Sequence, residues 1–321
     1  MIPEVMSETT TSLMLVIAGA CALLLVATIG GEVLRRRLSP IGNHPTVETY
    51  TTRLHSWWGM VFLLSLALLS GRTGVIILFA FASFAALREF LTLTRKTKAD
   101  HWALIGAFYF AFPLQYVFIW FGAYGLYSIF IPVYAFLILP ILSALRGAGT
   151  NFLSRVSETQ WGLMICVFCA SHIPALVTLD IGGATSTGRS VLLIAFLVVV
   201  VQLGDLAEYY TGRRFGERRI APSISPKTLT GVFYGALVAM LTGFFLTWIT
   251  PFAPWQATAT ALIIYLFGVG GSLVLAAIKA DRGVKNWGHL IPGQGGFIDQ
   301  MDSVVFAAPI FFHLTRYFYG A

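Results

Sequence analysis

The 321 residues are 57% hydrophobic and only 11% charged, where a soluble domain carries roughly 25% charged residues. That composition excludes an ordinary soluble enzyme and points to a polytopic membrane protein. The formal charge of +7 would suit a nucleic-acid partner, but its distribution speaks against one, because the basic residues sit in short loops between apolar runs.

Apolar runs near the ~20-residue spanning length predict helices over 13–34, 57–70, 74–93, 102–121, 125–145, 160–178, 190–210, 230–250, 256–278 and 302–318. A backbone in lipid must satisfy its own hydrogen bonds, so runs of this length mean helices rather than a barrel. Arg35, Arg36 and Arg37 follow the first run instead of preceding it. It therefore reads as a retained helix with its N-terminus outside, not as a signal peptide. The second run is short and reads as a half-span paired with the third through Gly71-Arg72-Thr73-Gly74. The expected fold is an all-α, polytopic membrane helical bundle of nine or ten transmembrane helices. Residues 1–195 form its N-terminal helices, and 196–321 form C-terminal helices that carry the polar segments, in a single integral membrane domain. Cys166 and Cys169 spell C-V-F-C in mid-membrane and read, with Cys21, as small packing residues.

The charges fix an orientation. Arg35–Arg37, Arg95-Lys96 with Lys98, Arg146 with Arg155, the Arg213–Lys227 cluster and Lys279–Lys285 fall on one side of the alternation. The facing loops, such as "DIGGATSTGR" and "PFAPWQ", are nearly uncharged. The positive-inside rule makes the basic side cytoplasmic.

Two segments on that side hold the ionisable groups. In "QLGDLAEYYTGRRFGERRIAPSISPKTLTG", Asp205 and Glu208 lie three apart and share a helix face. A carboxylate facing lipid costs roughly 2.5–3.5 kcal/mol, which leaves two readings: acids solvated at a helix end, or a cation or substrate site facing the bundle interior. Arg213, Arg214, Arg218, Arg219 and Lys227 suit topology and anionic headgroups. The hydroxyl, rigid turn and cation of Ser225-Pro226-Lys227-Thr228 suit phosphate oxygens. In "KADRGVKNWGHLIPGQGGFIDQMDS", Lys279 and Lys285 are point charges, Gly293, Gly295 and Gly296 admit close backbone approach, and Asp299 and Asp302 project together at i, i+3. This pattern fits a magnesium–phosphate site. It also fits a helix N-terminus with acidic capping residues after a glycine turn.

These residues resemble the phosphatidate cytidylyltransferases, or CDP-diacylglycerol synthases. Their C-terminal signature runs, in outline, K-R-x(4)-K-D-x-G-x(2)-I-P-G-H-G-G-x-x-D-R-x-D-S. Lys279, Lys285, Gly288, Ile291-Pro292-Gly293, Gly295-Gly296, Asp299, Asp302 and Ser303 match it without a gap. Asp205, Tyr209, Gly212, Arg213, Phe215, Gly216, Ala221-Pro222, Ser225-Pro226 and Lys227 match the earlier D-x-x-x-Y-x-x-G-R-x-F-G and A-P-x-x-S-P-K-K-T elements, the last of which is one residue short here. Ser272, Ala280, Asn286, Gln294 and Gln300 stand where the family has Asp, Arg, Asp, His and Arg.

The resemblance implies CMP transfer from CTP to phosphatidic acid, giving CDP-diacylglycerol and pyrophosphate for phospholipid biosynthesis. It implies catalytic roles for Lys279, Lys285, Asp299 and Asp302. Substrate would be bound by Arg213, Ser225, Lys227, Gly293, Gln294, Gly295 and Gly296. Magnesium, with potassium as a second ion, would sit at Asp205 and Asp302, beside Ser272 and Asn286 at former aspartate positions. Ser272 and Asn286 offer oxygens but not the negative charge that holds a divalent ion tightly. The alternative is a relative that binds anionic lipid or nucleotide without transfer, with a transporter as a further alternative. A bacterial inner membrane, a cytoplasmic active face and a homodimer complete the expectations.

Overall fold

The computed structural model of the chain describes residues 2–38, 45–94, 97–147, 150–181 and 189–320. Arg95, Lys96 and most of the "DIGGATSTGR" loop lie outside the described residues. Ten helical segments follow one another: α1 Ile2–Leu38, α2 Pro45–Leu69, α3 Gly71–Thr92, α4 His101–Trp120 and α5 Tyr124–Ala144. Then come α6 Phe152–Thr178, α7 Ser190–Phe215, α8 Leu229–Phe245, α9 Pro254–Arg282 and α10 Phe297–Tyr319. All ten runs predicted from the sequence fall on helices, and among the described residues β-pairing is limited to isolated bridges. Eight of the helices are long and apolar enough to cross a membrane. The chain is an all-α integral membrane bundle.

The other two are α2 and α8. The predicted half-span over 57–70 is a 25-residue helix, α2, because its first half, "PTVETYTTRLHS", is helical although polar. The turn expected over Gly71–Gly74 is tighter than that. Gly71 alone takes the left-handed conformation (φ +68°), and α3 starts there. α8 has 17 residues and is capped by Thr228, whose Oγ1 accepts the Gly231 N–H at 3.1 Å.

The bundle is organised around the first half of α7. Val191 to Leu197, Val200 and Val201 are all buried, and Phe196 stacks on Phe311 of α10 with ring centroids 5.6 Å apart. A helix apolar on every face belongs at the centre of a bundle, and α7 packs against α8, α9 and α10. α1 lies at the periphery, beside α2, with most of its apolar surface exposed. Cys166 and Cys169 carry no disulfide and lie in a widened turn of α6, Met164–Cys169.

One end of the bundle gathers the polar groups. The last turns of α3, α7 and α9, the first turns of α6, α8 and α10 and the polar half of α2 all meet there, as the contacts described below record. Two ion pairs brace this end. Arg155 Nε donates to Asp100 Oδ2 at 2.8 Å with both side chains 4% exposed, and Arg282 donates to Glu158 at 2.9 Å. Asp100 also accepts from the Thr97 N–H and from Ser143. Burial pushes its carboxyl up, but these donors outweigh burial and hold it below the ordinary value of 3.8.

Candidate active site

Two arms build the site. The first is the end of α7, the loop after it and the start of α8. Gly216 ends α7, and the loop then folds back on itself: the Ile220 N–H donates to the Lys227 carbonyl and the Leu229 N–H to the Arg218 carbonyl. The Ser225 Oγ accepts the Lys227 N–H at 3.3 Å, so this buried hydroxyl shapes the turn. The turn delivers the Lys227 ammonium to the face shared by Asp205 and Glu208. It donates to Glu208 Oε2 and lies 3.6 Å from Asp205 Oδ1. Such proximity requires α7 and α8 to touch, and glycines allow it. A Cβ on Gly231 would lie 2.8 Å from the Glu208 carbonyl oxygen and 3.0 Å from the Gly212 Cα. Burial pulls the Lys227 ammonium down, but the Asp205 and Glu208 carboxylates more than offset it, so its pKa lies above the ordinary 10.5.

The second arm runs from the end of α9 to the start of α10. Gly283 ends α9 in the left-handed conformation (φ +65°). The glycine turn closes on itself, with Ile291 N–H on the Gly295 carbonyl and the Gln294 and Gly295 N–H groups on the Ile291 carbonyl. Gly293 (φ +72°) and Gly295 (φ +101°) make that closure possible. Asp299 is the fastener of this arm. Its Oδ2 accepts the N–H groups of Gly296 and Trp287, each at 2.9 Å, and its Oδ1 accepts from Lys279 Nζ at 2.9 Å. Trp287 in turn is buried against Phe90 of α3.

The arms meet at Asp302, one turn into α10. Its Oδ1 accepts the Ser303 N–H at 2.7 Å, and it lies within electrostatic reach of Asp205, Lys227 and Lys279. Of the residues singled out in the sequence, the structure therefore brings together Asp205, Lys227, Lys279, Asp299 and Asp302. It places others apart from them. Arg213 is exposed and donates to the Tyr209 hydroxyl at 3.1 Å, and Lys285 and Asn286 are exposed on the loop. Gln294 donates to the Arg53 carbonyl on α2 at 2.9 Å. Ser272 is buried and donates to the Val269 carbonyl of its own helix at 2.9 Å. The turn's N–H groups at Gln294, Gly295 and Gly296 are taken up internally, so they are not donors for a phosphate in this arrangement.

Two residues in this neighbourhood escape the sequence reading. Glu89, near the end of α3, accepts the Ile298 N–H at 3.3 Å, and its carboxylate fills the space that a Cβ on Gly288 or Gly296 would need. It docks a carboxylate at the positive end of α10. A lone acid closing an otherwise apolar helix is the signal that marks it. Arg53, on the polar half of α2, donates from Nε to the Gly293 carbonyl at 3.0 Å.

A divalent cation can be tested against these groups. Asp205 Oδ1 and the Tyr265 hydroxyl are both buried without a hydrogen-bond partner, and the Tyr265 ring of α9 lies against Gly204, the residue before Asp205 on α7. Asp205 and Asp302 supply the one or two carboxylates that magnesium takes alongside phosphate oxygens and water. They fit such an ion. Among the described residues no third His, Cys, Asp or Glu joins them in a metal-binding group, since Asp299 is engaged by three donors.

The sequence also matches known proteins. The family described as the cytidylyltransferase family matches residues 51–318. "Uncharacterized protein YnbB" of Escherichia coli (strain K12) is 36% identical over 298 residues, covering 92% of this chain and 96% of that protein. A phosphatidate cytidylyltransferase of Bacillus subtilis (strain 168) is 29% identical over 76% of this chain and 88% of its own length. One from Staphylococcus saprophyticus is 31% identical over 48% of this chain and 61% of its own.

Proposed function

Because this chain belongs to the cytidylyltransferase family, we propose that it transfers the cytidylyl group of CTP to phosphatidic acid, forming CDP-diacylglycerol and pyrophosphate. The observation that carries the reading is the meeting of two lysine–carboxylate pairs, Lys227 with Glu208 and Lys279 with Asp299, around Asp302 at one end of a membrane bundle. A soluble triphosphate and a lipid phosphate have to meet at such a boundary. A lipid phosphate oxygen attacks the α-phosphorus, a new P–O bond forms, and the bond to the bridging oxygen breaks with both electrons leaving on pyrophosphate.

This chemistry asks for positioning and charge neutralisation rather than a covalent intermediate. Lys279 is held by Asp299, which backbone N–H groups fix in turn, so the ammonium stands ready before substrate arrives. Lys227 is held likewise by Glu208. Magnesium held by Asp205 and Asp302 would neutralise the triphosphate. The active face would be cytoplasmic and the membrane a bacterial inner membrane, in keeping with the basic loops at this end.

Purified protein in nanodiscs containing phosphatidic acid, supplied with CTP and Mg²⁺, should release pyrophosphate and yield CDP-diacylglycerol. Absence of turnover across Mg²⁺, Mn²⁺ and K⁺ conditions would rule the reaction out. One observation favours binding without transfer: Ser272 turns its hydroxyl to its own helix and Asn286 is exposed, so neither adds charge to the site. In that case the chain binds CTP without turnover, and Ser272→Asp, Asn286→Asp and Gln294→His together should raise activity.

A further inference from the structure

The glycine turn is gripped from α2 as well as from its own arm. Arg53 Nε donates to the Gly293 carbonyl at 3.0 Å, Ser56 Oγ donates to the Pro292 carbonyl at 2.8 Å, and Gln294 Nε2 donates back to the Arg53 carbonyl at 2.9 Å. The Thr52 methyl is the atom that a Cβ on Gly293 would meet, at 3.0 Å. This reciprocal grip fixes the base of the Arg53 side chain and the orientation of its guanidinium, yet it uses only Nε. The two terminal amino groups make no hydrogen bond, and no carboxylate lies within 4.0 Å of them among the described residues.

That sets Arg53 apart from the paired cations packed into this end. Lys227 is engaged by Glu208 and Asp205, Lys279 by Asp299, Arg282 by Glu158 and Arg155 by Asp100. Lys285 has no acid partner among the described residues, but it is not tied to the turn either. Arg53 also has a particular depth. It is exposed and stands one helical turn before Trp57 and Trp58, where α2 changes from polar to apolar. Tryptophans mark the level of the headgroups. A preoriented guanidinium fork with both terminal donors open, at headgroup level and without a counter-charge, matches a phosphate monoester, which accepts two parallel N–H bonds.

We propose that Arg53 binds the phosphate monoester headgroup of the lipid substrate and, through Gly293, ties its arrival to the glycine turn of the site. The proposal rests on the reading of a phosphate-bearing lipid as acceptor and adds the residue that recognises it. A purely structural strut would behave differently from a headgroup anchor. Arg53→Gln keeps an N–H donor for the Gly293 carbonyl and removes the fork, whereas Arg53→Lys keeps the charge and removes the bidentate geometry.

The test uses the full chain in phosphatidylcholine nanodiscs with graded fractions of phosphatidic acid, or of phosphatidylglycerol as a diester control. Lipid retention is read by native mass spectrometry and steady-state kinetics are measured in parallel. Losing a charge-assisted pair should weaken phosphatidic acid retention, and raise its KM, roughly ten- to hundredfold in Arg53→Gln. The KM for CTP and the unfolding midpoint should stay close to wild type, and Arg53→Lys should recover part of the retention. Glycerol 3-phosphate and inorganic phosphate are added as competitors. Displacement of the lipid by either at low concentration would identify a free phosphate site and overturn the proposal. Equal phosphatidic acid retention by wild type and Arg53→Gln would also overturn it. If wild type retains phosphatidic acid through Arg53 but forms no CDP-diacylglycerol, the proposal stands and the transfer reaction falls. If turnover proceeds and Arg53→Gln leaves the lipid KM unchanged, the reaction stands and the proposal falls.

Discussion

Replacing Lys227 by methionine keeps most of the side-chain volume and removes the ammonium. Glu208, with a side chain 7% exposed, then loses its cation, while Asp205, 23% exposed, keeps partial access to water. Removing one partner of a buried pair costs about 3–5 kcal/mol, because the remaining charge is left uncompensated. The openness of Asp205 argues for the lower end, about 3 kcal/mol. At about 2 °C per kcal/mol for a chain of this size, the unfolding midpoint should fall by roughly 6 °C. A thiol-reactive dye suits the measurement once the partly buried Cys21 and Cys169 are replaced by serine, since Cys166 is buried in the folded chain. The partner change Glu208→Gln in the same chain should recover at least about 1 kcal/mol, the coupling expected of residues in direct contact. Because the pKa of Lys227 is raised, the pair's contribution is complete below pH 10.5 and is lost only as pH climbs through the higher folded value. The midpoint difference between wild type and Lys227→Met should therefore stay constant from neutral to mildly alkaline pH. A Lys227→Met chain that melts with wild type, or a double variant no better than the single one, would refute the buried-pair account.

Other expectations follow from the same contacts. A Cβ on Gly235 would overlap the Tyr265 hydroxyl, so Gly235→Ala should cost about 1–3 kcal/mol. Adding Tyr265→Phe should relieve that cost in a thermal melt, and Tyr265→Phe alone should be neutral or stabilising, since the hydroxyl is buried without a partner. Glu89→Ala should cost about 1 kcal/mol, as lost helix caps do, and should reduce turnover more than that loss of stability explains, which parallel melting and kinetics would show. Asp100 has a depressed pKa, so its contribution is present above pH 3.8 and is lost as pH falls through the folded value. Wild type should lose midpoint temperature below about pH 4, and Asp100→Asn, already lowered at neutral pH, should lose much less. Asp205→Asn should weaken the Mg²⁺ dependence of nucleotide binding, measured by calorimetry with and without chelator.

Sequence alone determined the all-α membrane bundle, its ten helical runs and the two polar segments at one end. The reason is local: a spanning backbone must bond within itself, so length and apolarity suffice to reveal each helix. Spacing also revealed that Asp205 and Glu208 share a face, because three residues make nearly one turn. The length of α2 was hidden, since its first half is polar and is held in place by Gly293, Pro292 and Gln294, far away in sequence. Which lysine meets which acid was hidden too. Lys227 reaches Glu208 only because Gly212 and Gly231 let α7 and α8 touch, and Asp299 serves the turn rather than standing open because two backbone N–H groups arrive from the loop before it. Periodicity reports what one helix does along its own axis. The partners of a buried charge come from other helices, and only their packing decides them.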